Sequence, residues 1–221
     1  DLGGLSVIQR TYQSTVASEV FDEVWVVTDH PQIEAQILAL GGKVVVSKKE
    51  HESGSDRIAE ALQEVDADLI VNVQGDEPFQ DAKTLRDLVS VFSNPAVEVA
   101  SLMCVLGADQ VQNPNFVKVV VDENRRAIYF SRSPIPYNRE GDNLSYWRHI
   151  GVYAYRREML LSFTQWPKGY LEQVEVLEQL RLVEKGVSIQ MVETIHQTIA
   201  IDTQEDLDRA RVYLDANQVK L

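Results

Sequence analysis

Two aspartates lie where apolar runs end. In the segment 68–78 (DLIVNVQGDEP) a strand-like run stops, and Gln74, Gly75, Asp76 and Glu77 follow at once. Ligands of open α/β sheets bind beyond the carboxyl ends of the strands, and Gly75 lets backbone come close to one. A carboxylate at that point is placed to hold Mg2+, which takes oxygen ligands and bridges to phosphates. In the segment 199–207 (IAIDTQEDL) a short apolar run enters Asp202 and then an acidic helix start. Each segment also has a plainer reading. Asp76 and Glu77 fit an ordinary turn, and Asp202 fits a helix N-cap with Glu205 as its capping-box partner. Two aspartates at two strand ends favour a shared metal more than either does alone.

Three further segments carry polar groups in usable patterns. Ser53, Gly54, Ser55 and Arg57 form a small-residue loop that opens a helix. Free N–H groups at such a start suit anions or polar base edges, and Arg57 offers a planar fork of donors; a Ser-capped helix with a solvated Arg fits equally. In 148–156 (RHIGVYAYR) strict alternation puts His149, Gly151, Tyr153 and Tyr155 on one face, where His and Tyr could read a polyhydroxy ligand or merely pack across strands. In 171–181 (LEQVEVLEQLR) Leu171, Val174 and Leu177 follow helical spacing, so Glu178 and Gln179 are either a solvated face or hydroxyl-binding groups at a cleft. His30 and His196 fall in no organised motif and read as structural.

The elements that must position these groups alternate. Strands are expected at Val24–Val27, Val44–Val46, Leu69–Val73, Val97–Leu106, Val117–Val121, Ala127–Ser131, Ile150–Tyr155, Ser188–Val192 and Thr198–Ile201. Helices are expected at Leu5–Ser18, Gln32–Leu40, Ser55–Glu64, Ala82–Phe92, Arg157–Thr164, Leu171–Glu184 and Gln204–Leu214. Gly41-Gly42 falls where a left-handed cap belongs. Strands joined by crossover helices make a mostly parallel, Rossmann-like α/β sheet flanked by helices. Between Val117 and Tyr155 the pattern changes. Asp122, Glu123 and Asn124 separate two strand-like runs as a hairpin would, so an antiparallel insertion is expected there. The prolines of 133–137 (SPIPY) exclude interior helix. The chain enters a helix straight after Asp1, Leu2, Gly3 and Gly4, so an upstream strand and ligand-binding turn are expected before it.

The 221 residues carry 21 Lys+Arg against 34 Asp+Glu, a net charge of −13. That argues against nucleic acid as a partner, since phosphate contacts need clustered cations. It allows a small polyanionic ligand if metal ions or a local basic cluster supply countercharge. Cys104 is the single cysteine, so an internal disulfide is excluded; it sits in the apolar run Val99–Leu106, broken only by Ser101, and reads as a small buried hydrophobe. No apolar stretch has the length of a membrane span, and no signal peptide is visible, so the cytoplasm is the expected compartment. No G-x-S-x-G, H-E-x-x-H, Walker A or G-x-G-x-x-G motif appears, which removes support for hydrolytic acyl chemistry and nicotinamide redox chemistry.

The strings HESGSDR, VNVQGDEP, NPNFVKVV, IYFSRSPIP, RHIGVYAYR, LEQVEVLEQLR and IDTQEDLDR run in order along nearly the whole chain. In this order and spacing they resemble the CMP-Kdo synthetases, the 3-deoxy-manno-octulosonate cytidylyltransferases. The resemblance implies a cytosolic, homodimeric enzyme that joins CTP to the acid sugar Kdo for lipopolysaccharide, with release of pyrophosphate. It implies a single nucleotidyltransferase domain over 1–221, with the sugar-binding and dimerisation part within about 107–185. By resemblance Asp76 and Asp202 are the Mg2+ ligands, and Ser53, Gly54, Ser55 and Arg57 contact the cytosine and ribose. Gln74, Arg132, His149, Tyr153, Glu178 and Gln179 line the Kdo pocket, with Arg132 facing the sugar carboxylate. The family also carries a basic, triphosphate-gripping loop that is expected before Asp1, and the loop around Glu140, Gly141, Asp142 and Asn143 is shorter than the family leads one to expect. Three other readings stay open: a sialate-type CMP-sugar synthetase of the same reaction class; a nucleotide-sugar glycosyltransferase, whose usual Asp-x-Asp is not found at Asp76-Glu77-Pro78; and a catalytically silent binding module.

Overall fold

The computed structural model describes residues 1–51, 53–141, 144–196 and 199–217. In chain order the elements are α1 (Val7–Ala17), β1 (Trp25–Thr28), α2 (Pro31–Leu38), β2 (Lys43–Val46), α3 (Gly54–Ala61), β3 (Leu69–Asn72), α4 (Ala82–Ser90), β4 (Val99–Leu106), β5 (Lys118–Val121), β6 (Ala127–Ser131), β7 (Tyr146–Arg156), α5 (Arg157–Gln165), α6 (Tyr170–Glu175), α7 (Leu180–Glu184), β8 (Ile189–Glu193) and α8 (Gln204–Asn217). They fall into two compact units. The first holds residues 1–67, 72–86 and 198–221; the second holds 68–71 and 87–197.

In the first unit β1 and β2 pair in parallel, Trp25 opposite Lys43 and Thr28 opposite Val46. The helices start where the local chemistry dictates. Ser6 caps α1 and forms a reciprocal capping box with Gln9. His30 caps α2 ahead of Pro31 at its first position, and Gly41 follows it at φ 72°, the left-handed geometry that glycine tolerates best. A small apolar cluster then ties three distant pieces of chain together. Leu2, Phe79, Ala210 and Leu214 form its centre, and Ile199, Ile201, Leu207 and Tyr213 pack against them. The Phe79 and Tyr213 rings lie 4.7 Å apart.

The second unit contains the larger sheet, in the order β6-β5-β7-β4-β8, with β3 also paired to β7. Its directions bear out the expected sheet in part, because every antiparallel pair involves a strand of the segment where an antiparallel insertion is expected. β4 and β8 are parallel, but β4–β7, β5–β7 and β5–β6 are all antiparallel. Hydrophobic alternation sets strand positions and is blind to strand direction. The long strand β7 returns between β4 and β5, and the expected hairpin joins β5 to β6. Asp122 builds that turn: its Oδ1 accepts from the N–H groups of Asn124 and Arg126, both at 2.8 Å, and Arg125 takes φ 60°. β4 is buried along almost its whole length, in keeping with an apolar run broken only by Ser101, and it is paired at both edges, to β7 and β8. Cys104 lies within it, buried.

Two other expectations change. The single helix over Leu171–Glu184 is two helices, α6 and α7, with Val176 between them at φ 54°. The expected strand Thr198–Ile201 is irregular over the described residues 199–201. Glu52, Asp142, Asn143 and Thr198, which fall within segments named above, lie outside the described residues.

Candidate active site

The acidic pair lies in the first unit. The Ile201 N–H donates to the Asp76 carbonyl at 3.0 Å, which sets Asp202 beside the 74–77 turn. The apolar cluster locks this arrangement from both sides, through Phe79 after the turn and Ile201 before Asp202. Thr11 Oγ1 donates to the Gly75 carbonyl at 2.8 Å and anchors the turn to α1. The Asp202 N-cap reading is overturned. Thr203 is the capping residue: its Oγ1 accepts from the Asp206 N–H, and Asp206 Oδ2 accepts from Thr203 N at 2.9 Å in return. Asp206, not Glu205, completes the box, so the Asp202 carboxylate is not spent on the helix end. Asp76 is half-buried and its carboxyl pKa is raised, first by burial and further by the negative charge of Asp202. Two mutually repelling carboxylates are a donor set for a hard divalent cation. Mg2+ is commonly held by one or two carboxylates, with water and phosphate oxygens completing the shell. Among the described residues no group of three or more His, Cys, Asp and Glu side chains gathers as a metal cage.

The start of α3 stands near this pair's turn within the same unit. Ser53 Oγ accepts from the Asp56 N–H at 3.2 Å as the N-cap. A side chain at Gly54 would point at the amides of Asn72 and Gln74, 3.9 Å from each. Gln74 itself donates to Asn72 Oδ1 at 3.2 Å. Ser55 is buried, and Arg57 pairs with Asp29 at 3.3 Å. Glu60 braces the helix: it accepts from Ser47 Oγ at 2.7 Å and from Lys48 N at 3.2 Å, and lies 2.6 Å from His51 Nε2. These bonds, Ser47 first and His51 second, hold its carboxyl down at about 2.

The second unit gathers His149, Tyr153 and Glu178. Residues four apart in a regular strand are about 13 Å apart, yet the His149 and Tyr153 rings are 5.2 Å apart. The cause is a bulge. Ser101 pairs with Tyr153 while its neighbour Leu102 pairs with Ile150, so Gly151 and Val152 loop out of register. The bulge adds two residues, so the side-chain alternation survives and the two rings close up. Phe130 meets the His149 ring edge-on at 5.0 Å. Burial, and then the Arg148 charge, hold His149 at about 3, so the imidazole is neutral. The Tyr153 hydroxyl is raised well above its ordinary value by burial, then by Tyr155 and by the charge of Glu178, which places Glu178 in its surroundings. Gln179 is buried next to it in sequence.

Arg132 ties down the chain that leads into Glu178 and Gln179. Its backbone N–H donates to Glu175 Oε2 at 3.0 Å, and its guanidinium donates to the carbonyls of Glu175 (2.9 Å), Val176 (3.2 Å) and Pro114 (3.1 Å). These bonds satisfy carbonyls left over where the helix breaks, and one N–H remains on each terminal nitrogen. Two supporting residues escaped the sequence reading. Lys118 is fully buried, donating to the carbonyls of Asn113 (3.2 Å) and Arg132. Ser101 pins the bulge, with its Oγ 3.2 Å from Ile150 O and 2.9 Å from Val152 O. Its signal was visible as the one polar residue in the run 99–106.

Comparison with known proteins follows the same lines. A cytidylyltransferase family profile matches residues 1–195. The 3-deoxy-manno-octulosonate cytidylyltransferase of Flavobacterium johnsoniae is 53% identical over 219 residues, covering 97% of this chain and 90% of that protein. The Escherichia coli protein of the same name is 40% identical over 217 residues, covering 97% and 87%. A solved structure of CMP:2-keto-3-deoxy-manno-octonic acid synthetase, complexed with CTP, superposes with a TM-score of 0.93 at 39% identity and covers 98% of this chain and 90% of its own. The chain therefore belongs to the 3-deoxy-manno-octulosonate cytidylyltransferase family and is a nucleotidyltransferase enzyme.

Proposed function

We propose that this enzyme transfers the cytidylyl group of CTP to the anomeric hydroxyl of Kdo, yielding CMP-Kdo and pyrophosphate for lipopolysaccharide, with Mg2+ bound by Asp76 and Asp202. The observation that carries the metal reading is the Ile201–Asp76 backbone bond, which draws two carboxylates far apart in the sequence into one electrostatic field. A bound Mg2+ would neutralise phosphate charge and acidify a sugar hydroxyl. The chain's own residues do the rest by placement. Ser53, Gly54 and Ser55 offer the N-terminus of α3 to the nucleoside, with Asn72 alongside and with Gln74, which the resemblance gives to the Kdo pocket, equally close to Gly54. His149, Tyr153, Glu178 and Gln179 supply hydrogen bonds for a polyhydroxy acid, and the two remaining Arg132 N–H groups suit a carboxylate. Little covalent work falls to protein groups in phosphoryl transfer, so positioning and charge carry the rate.

The test is pyrophosphate release by the full-length protein with CTP, Kdo and Mg2+. Asp76→Ala and Asp202→Ala should each lower turnover by roughly 100-fold or more while far-UV circular dichroism stays unchanged. Near-normal Mg2+-dependent turnover in either variant removes that residue from the site. A panel of acid sugars separates Kdo from sialate. The homodimer and the cytoplasmic compartment rest on the family resemblance; light scattering tests the first. Among the described residues no helix is long and apolar enough to cross a membrane.

A further inference from the structure

Ser101 Oγ has one proton and three polar neighbours: Val152 O at 2.9 Å, Ile150 O at 3.2 Å and His149 Nε2 at 2.9 Å. Carbonyl oxygens only accept. If the hydroxyl donated to the ring, a fully buried oxygen would face two carbonyl oxygens with no proton between them, an arrangement that costs a lost hydrogen bond and adds repulsion. The proton therefore lies on the path to a carbonyl, Val152 being the nearer, and the Oγ lone pair faces the ring. Nε2 must then be the donor. A neutral imidazole with its proton on Nε2 has a bare lone pair on Nδ1. The ring's two aromatic neighbours, Phe130 and Tyr153, fix its plane.

We propose that Ser101 is a positioning residue that locks His149 as the Nε2–H tautomer, so that His149 meets a sugar hydroxyl through Nδ1 as a hydrogen-bond acceptor. The sugar part of this statement rests on the reading of His149 as a Kdo-site residue; the tautomer part does not. Burial, with the Arg148 charge, keeps the ring neutral far below working pH, so His149 is an acceptor and not a proton-transfer base.

The tautomer is read directly in the wild-type enzyme by the imidazole 15N–1H spectrum, with His149→Ala identifying the His149 signals. The expected pattern is neutral Nε2–H, unchanged between about pH 5 and about pH 9. A neutral Nδ1–H pattern, or a titration inside that range, overturns the proposal whether or not any Ser101 variant folds. Ser101→Ala should then give a mixed tautomer pattern and raise KM for Kdo roughly tenfold, the loss of about one hydrogen bond, with KM for CTP unchanged. Ser101→Thr, which keeps the hydroxyl, should restore both. Equal rises in both KM values overturn the positioning role. A changed tautomer with an unchanged KM for Kdo leaves the lock standing and removes His149 from the sugar site.

Discussion

If Asp76 holds the proposed metal, one residue sets function against stability. Its raised pKa means that the folded protein holds the proton more tightly than the unfolded chain does. The charged form therefore destabilises the fold at neutral pH, and the penalty fades as pH falls through the carboxyl range. A divalent cation reverses the balance by supplying the missing positive charge. Asp76→Asn should thus raise Tm of the metal-free protein at pH 7 by about 1–3 °C, with the gain shrinking towards about pH 4. The same change should abolish Mg2+-dependent turnover. Thermal melts with and without chelator check this, and a lower Tm for the metal-free variant at pH 7 contradicts it. At this scale the sequence was partly legible. Acidic residues after apolar runs singled out Asp76 and Asp202, and the fold brings the segments that carry them together. Lys118 was not legible, since a lysine inside a β-branched strand gives no sign of the carbonyls that will receive it.

At the element scale, the placing of α3 depends on Glu60. It ties the end of β2, through Ser47 and Lys48, to the helix whose N-terminus carries Ser53 and Gly54. Its carboxyl is held at about 2 against an ordinary value of 4.5. A depressed carboxyl stabilises the fold above its ordinary pKa, and that contribution is lost as pH falls from 4.5 towards 2. Glu60→Gln should therefore lower Tm at pH 7, and the gap to wild type should close over that acidic window. A gap that stays constant on acidification means that shape, not charge, holds the helix. Element positions were largely readable, because period and caps are local: β6 falls on Ala127–Ser131 as expected, and Gly41 takes its left-handed turn. What failed was non-local. The break at Val176 follows from Arg132, some forty residues earlier, competing for the helix's last carbonyls. The closeness of His149 and Tyr153 follows from Ser101 on a neighbouring strand. The direction of β7 had no signal in its own alternation; the hairpin residues 122–124 were what pointed to an antiparallel region there.

For the whole molecule the decisive quantity is the net charge of −13. A nucleoside triphosphate is itself a polyanion, so the far field of the protein opposes its approach even where the local site attracts it. The two effects have different ranges. Solvent charges more than a screening length away are damped by salt, about 10 Å at 0.1 M, whereas a cation held between two carboxylates acts at contact and is screened much less. Added monovalent salt should therefore weaken the repulsion more than it weakens the site. At fixed, saturating Mg2+, the association rate of a fluorescent CTP analogue should hold steady or rise as NaCl goes from about 20 to about 200 mM. Nucleic-acid-binding proteins behave in the opposite way, losing affinity steeply over such a range. Stopped-flow mixing measures the rate directly. A steep fall would show that a local basic cluster, and not the molecule's overall charge, governs the approach of the nucleotide. Asp202→Ala separates the scales: it should weaken the Mg2+-dependent dissociation constant while leaving the salt dependence of the association rate nearly unchanged, because one charge in thirteen barely alters the far field.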